Sequence, residues 1–150
     1  AVACMTGYTD EPLATNYSAI PVMEIHGLAD QIVPYGSSFT TGVLLEGTLE
    51  GDEGAIQNMY WWADANGCPG SAPDIETVEW DYTVMRFSGC TNGADVVLVT
   101  MNYAQHNPYI NDYDGTDSPF YQAILTGNPT GIDASQMAWD FLSQHSKSVE

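Results

Sequence analysis

Positive charge is almost missing from this chain: its 150 residues include one arginine, Arg86, and one lysine, Lys147, against 20 acidic side chains. The net charge of −18 repels phosphate backbones and anionic lipid surfaces, which argues against nucleic acid and membrane as partners. The acidic residues read as a solvated surface suited to a salty or extracellular medium, rather than as a cation-binding array. Long apolar runs are missing too, and none approaches the roughly 20 residues of a membrane helix. There is no basic-then-apolar leader and no initiator methionine, and the opening Ala1-Val2-Ala3 reads as an internal cut in a longer chain.

Cysteine is scarce, with Cys4, Cys68 and Cys90 alone, and no C-x-x-C or Cys/His cluster has zinc spacing. The three suit a Cys68–Cys90 disulfide, worth roughly 3 kcal/mol in the chain-entropy model, and hence an oxidising compartment. Cys4 is then left over, either as a buried thiol or as the partner of a cysteine on a segment outside this sequence. A further absence matters most. No Gly-x-Ser-x-Gly occurs anywhere, and Ser37, Ser38, Ser71 and Ser88, although near glycines, do not sit in a nucleophile-elbow pattern after a strand.

What is present has the patterning of one α/β domain across residues 1–150. Strands are expected over residues 1–5, 21–27 and 95–101, the last a near-continuous β-branched run suited to a parallel strand buried on both faces. Residues 77–80 and 83–87 read as a hairpin turning near Asp81. Ile56, Met59, Tyr60 and Ala63 fall at helical spacing and Asn66-Gly67 stops that helix. Residues 37–45 form a weaker helical stretch containing Gly42. Residues 102–131 are long and irregular. A final helix begins at Asp133 with Gln136 three residues on, a capping-box-like start, and Met137, Phe141 and Leu142 supply its apolar face.

In parallel α/β sheets ligands sit beyond the carboxyl ends of the strands, and Asp30 and His106 both fall just past such an end. Taken alone, Asp30 is an ordinary turn residue and His106 an ordinary loop histidine. The ten-residue string His26-Gly27-Leu28-Ala29-Asp30-Gln31-Ile32-Val33-Pro34-Tyr35 is more specific. It resembles the acid loop of α/β-hydrolases, in which a strand ending in His-Gly leads by a short turn to the catalytic aspartate and then Val-Pro. In that class the chain order is nucleophile, acid, histidine. Asp30 followed by His106 obeys it, whereas His145 lies on the terminal helix and His26 sits inside a strand end as a structural residue.

Further stretches resemble the secreted feruloyl esterase and polyhydroxybutyrate depolymerase-like group of that class. Trp62-Ala63-Asp64-Ala65-Asn66-Gly67-Cys68 is similar to its helix end between acid and histidine, Cys90 with Gly93-Ala94-Asp95-Val96 to its second cysteine and following strand, and Ile132-Asp133-Ala134-Ser135 with Trp139-Asp140-Phe141 to its terminal helix. The chain departs from the group at Gln105-His106-Asn107-Pro108, where Gly-His and then Trp-Pro are usual. The resemblance implies the C-terminal part of an α/β-hydrolase fold, incomplete, with parallel strands, flanking helices and a small hairpin. It implies a serine carboxylester hydrolase acting on feruloyl or acetyl esters of plant cell-wall xylan, or on short polyesters. Asp30 would be the acid and His106 the base, and the serine would lie upstream of Ala1. No cofactor and no metal is called for. The acidic stretch between Asp112 and Asp117 lacks the ligand spacing of a calcium loop and reads as solvated. The reading from a different class is a non-catalytic secreted carbohydrate-binding domain that uses Trp61, Trp62 and Trp80.

Overall fold

The computed structural model describes residues 1–7, 15–30, 32–36, 54–102, 104–106 and 132–145. In chain order these form β1 (Val2–Met5), β2 (Val22–Gly27), α1 (Ala55–Ala65), β3 (Asp74–Val78), β4 (Tyr82–Phe87), β5 (Val96–Met101) and α2 (Ala134–Gln144). The strands make a single sheet in the order β1-β2-β5-β4-β3. β1, β2 and β5 are parallel, while β4 runs antiparallel to β5 and β3 antiparallel to β4. The fold is thus mixed α/β.

β5 lies at the centre because it can be buried on both faces. Alternate side chains of a strand point to opposite sides. Val96 and Leu98 join the cluster under α1, with Ile56, Met59 and Ala63, while Val97, Val99 and Met101 join the cluster under α2, with Ala134, Ala138 and Phe141. The same alternation in β2 sends Met23 and Ile25 to the α2 side and Glu24 towards Asn58 of α1. Three parallel strands of a mixed sheet, covered by a helix on each face, follow from these two patterns.

The expected hairpin forms, but its first strand starts at Asp74 rather than Thr77. That strand is largely exposed, and a register irregularity between Ile75 and Thr77 breaks the alternation a sequence reader relies on. The hairpin is no appendage. β4 pairs along the whole of β5, from Tyr82 opposite Met101 to Phe87 opposite Val96, so the sheet edges are β1 and β3. Trp80 lies in the turn rather than in a strand.

Helix α1 ends as Asn66-Gly67 requires. Gly67 adopts φ 62° and donates to the Asp64 carbonyl, and Cys68 donates to the Ala63 carbonyl, the paired bonds of a Schellman cap. This cap delivers Cys68 to Cys90, and the two form the disulfide. Cys4 is free, and its thiol donates to the Met23 carbonyl at 3.6 Å. Burial, reinforced by the nearby Glu24 carboxyl, pushes the Cys4 thiol up to about 12, so it is unreactive at neutral pH. At the start of α1, Gly54 has φ 94°, and a Cβ there would fall 2.2 Å from the Tyr35 carbonyl oxygen. In α2, the Asp133 carboxylate accepts from Gln136 N at 3.1 Å, but the Gln136 side chain donates forward to Asp140, so only half of a capping box is made.

The helical stretch expected over 37–45, the acidic stretch between Asp112 and Asp117, and most of the irregular 102–131 segment lie outside the described residues. Among the described residues, no helix is long and apolar enough to cross a membrane, and no group of three or more His, Cys, Asp or Glu side chains is placed to hold a metal ion.

Candidate functional site

Parallel pairing of β2 with β5 sets Gly27 beside Met101, so both strands end at one level and release their loops side by side. The loops are then laced together: Leu28 N donates to the Met101 carbonyl at 2.9 Å and Ala29 N to the Ala104 carbonyl at 3.0 Å. Directly after Ala29 stands the acid, and two residues after Ala104 the histidine. Asp30 Oδ2 accepts from His106 Nδ1 at 2.9 Å, across 76 positions of sequence. The structure therefore brings together the two residues singled out from the sequence.

The carboxylate of Asp30 is fully buried and tied on its other oxygen. Oδ1 accepts from the backbone N–H groups of Ile32 at 2.8 Å and Val33 at 2.9 Å, a side-chain-stabilised turn of the kind aspartate favours. With one oxygen committed to the turn, the other is left for the histidine. A carboxylate only accepts, so the His106 proton sits on Nδ1 and the neutral ring carries its lone pair on Nε2. The His106 side chain is 26% exposed, enough to meet a reactant while its partner is shielded from water. Chemically, this is an imidazole poised to take a proton through Nε2, backed by an anion that stabilises the cation formed.

His26 is elsewhere in the same cluster and is fully buried. Its Nε2 lies 2.8 Å from the Val33 carbonyl and 3.4 Å from Asp30 Oδ2, and its Nδ1 lies 2.9 Å from Glu24 Oε1. Asn58 Nδ2 of α1 donates to Glu24 Oε2 at 2.6 Å. Desolvation holds the Glu24 carboxyl above the usual carboxylate range, despite the opposing influence of His26 and Asn58. For His26, desolvation works against the charged ring, but the Glu24 hydrogen bond and charge outweigh it and the net direction is upward. The pair keeps its shared proton tightly. His26 matches its expected structural place, whereas Glu24 and Asn58 are not among the residues expected from the sequence. A signal was available: two polar residues two apart in an otherwise apolar strand face the same side and need each other.

The remaining candidates are dispersed. His145 caps α2 and stands edge-on to Phe141, with ring centroids 4.8 Å apart. Trp61 and Trp62 meet edge to face at 79°, both partly buried, and so do not present a flat stacking surface. Trp80 is 69% exposed in the β3–β4 turn. That turn is held by Asn102, just after β5, whose N–H donates to the Asp81 carbonyl and whose side chain donates to the Glu79 and Trp80 carbonyls. Trp80 therefore lies at the same end of the sheet as Asp30 and His106.

Comparison of the chain with models of known protein families, with curated proteins and with solved structures finds no match in any of the three. Its likeness to the feruloyl esterase group stands on the motifs alone.

Proposed function

We propose that this chain supplies the acid and the base of a secreted serine carboxylester hydrolase of the α/β-hydrolase class. The observation that carries the reading is the Asp30–His106 hydrogen bond, formed where two adjacent parallel strands end and built from residues 76 apart. In the proposed reaction His106 Nε2 takes the proton of a serine hydroxyl as that oxygen attacks the ester carbonyl. The same nitrogen then protonates the departing alcohol, and Asp30 holds the ring and stabilises its cation throughout. The sequence contains no Gly-x-Ser-x-Gly, so the serine and the oxyanion donors come from polypeptide outside these residues, which the resemblance puts upstream of Ala1. The substrate class is the feruloyl or acetyl ester of cell-wall polysaccharide. The Cys68–Cys90 disulfide and the acidic surface support an extracellular site of action.

The test joins the chain to the coding sequence that precedes it in its gene and assays methyl ferulate, acetylated xylan and a short hydroxybutyrate oligomer. The 150 residues alone are expected to turn over none of them. The longer chain is expected to cleave the first two, and Asp30→Asn to reduce its kcat by roughly 10⁴-fold. Turnover by the 150 residues alone, or a longer chain indifferent to His106→Ala, would refute the proposal.

A further inference from the structure

The buried polar chain behind Asp30 is larger than an acid–base pair requires. From the helix α1 side it runs Asn58, Glu24, His26 and then Asp30, with separations of 2.6, 2.9 and 3.4 Å, before reaching His106. Burying an ionisable pair at the heart of a sheet is costly unless its members satisfy one another. The geometry fixes much of the protonation pattern. The Val33 carbonyl can only accept, so at 2.8 Å from it His26 Nε2 must carry a proton. On the far side of the ring, Nδ1 and Glu24 Oε1 at 2.9 Å need one proton between them, because two bare lone pairs would repel. Glu24 thereby sets which way the His26 ring faces, and Asn58 in turn holds Glu24.

The Nε2–H of His26 donates to one group of the acid loop and stands within ion-pair reach of another. One is the carbonyl of Val33, whose own N–H is already bound by Asp30 Oδ1. The other is Asp30 Oδ2, the oxygen that meets His106. Without that donor Asp30 Oδ2 loses its contact on the side away from His106 and the Val33 carbonyl loses the ring N–H, while Val33 N stays bound to Oδ1. We propose that His26, oriented by Glu24, is a positioning residue that holds Asp30 Oδ2 towards His106 and so selects the His106 ring form with its proton on Nδ1. The inference rests on the acid–base reading of Asp30 and His106.

The experiment reads the ring nitrogens of the 150-residue chain by two-bond ¹H–¹⁵N spectra, which report which nitrogen of each histidine carries the proton. Two substitutions divide the ring in half: in His26→Asn the amide reaches the Nδ1 position facing Glu24, and in His26→Gln it reaches the Nε2 position facing Val33 and Asp30. His26→Asn is expected to lower the His106 ratio of Nδ1–H to Nε2–H by roughly tenfold, the scale of one hydrogen bond to a charged group. His26→Gln is expected to keep that ratio within twofold of the parent. A His26→Asn chain with the parent ratio would overturn the inference. Asp30→Asn separates the two levels: a His106 ratio unmoved by Asp30→Asn defeats the acid–base reading, whereas one moved by Asp30→Asn and not by His26→Asn defeats only the positioning role. Even where a His26 variant fails to fold, a bare His26 Nε2 in the unsubstituted chain overturns the inference.

Discussion

Asp30 serves two structural partners at once, and truncating it to alanine separates their contributions. The carboxylate is buried and accepts from Ile32 N at 2.8 Å, Val33 N at 2.9 Å and His106 Nδ1 at 2.9 Å. Hydrogen bonds to charged groups are worth about 1.5–3 kcal/mol each, and an orphaned buried donor costs about 1–3 kcal/mol. His106 and Ile32 are partly exposed and regain water, so the loss on Asp30→Ala is mainly that of the two backbone hydrogen bonds to a charged acceptor. The expected destabilisation is about 3–5 kcal/mol, a large share of the total for a domain of this size. In Asp30→Asn the side-chain carbonyl still accepts from Ile32 and Val33, while the amide nitrogen faces His106 as a second donor. That variant should lose only about 1–2 kcal/mol. Urea unfolding followed by tryptophan fluorescence measures both, with the denaturant slope checked for constancy. Equal losses for Ala and Asn, or losses under about 0.5 kcal/mol for both, would refute the assignment of Oδ1 to the turn and Oδ2 to the histidine.

Other consequences are as direct. The Glu24–His26 pair holds its one shared proton more tightly folded than a free imidazole does unfolded, so the folded state carries the extra proton, and stability falls, as pH rises past the ordinary imidazole value of 6.5. Glu24→Gln, compared with the parent at one salt concentration, should flatten this slope; an equally steep slope would contradict it. Reducing the Cys68–Cys90 disulfide should cost roughly 3 kcal/mol, read as a lower urea midpoint with a thiol reductant present. Asn66→Ala should cost about 2–4 kcal/mol by equilibrium unfolding, because this buried amide accepts from Tyr17 and donates to the Ile20 and Ala94 carbonyls at 2.8 Å each.

Much of the architecture was legible because it is written in local pattern. The β-branched run at 95–101 and the strand entered from Pro21 appear as β5 and β2, each within a residue of expectation at its start. The helix stop at Asn66-Gly67 appears with the cap geometry those residues favour. What local pattern does not carry is sheet order. Nothing in Tyr82–Phe87 says that it lies antiparallel along β5, in a register that runs from Phe87↔Val96, 9 positions apart, to Tyr82↔Met101, 19 apart. Asn66 looks like a helix terminator, yet its side chain bonds to two other segments, at Tyr17 and Ile20 and at Ala94, because an amide's partners are set by tertiary placement. Asp30 and His106 were recognisable by type and order, while the Glu24–His26 pair behind them was visible only as polar residues on a buried face. Both belong to one cluster because β2 supplies the pair and its following loop supplies the acid.

The proton between Asp30 and His106 can be located directly by neutron diffraction from crystals of the deuterium-exchanged chain. A deuteron on His106 Nδ1, directed at Asp30 Oδ2 with the two atoms near 2.9 Å, is the predicted result. A bare Nδ1, or a carboxylate turned away from the ring, would contradict the assignment of these two residues as acid and base.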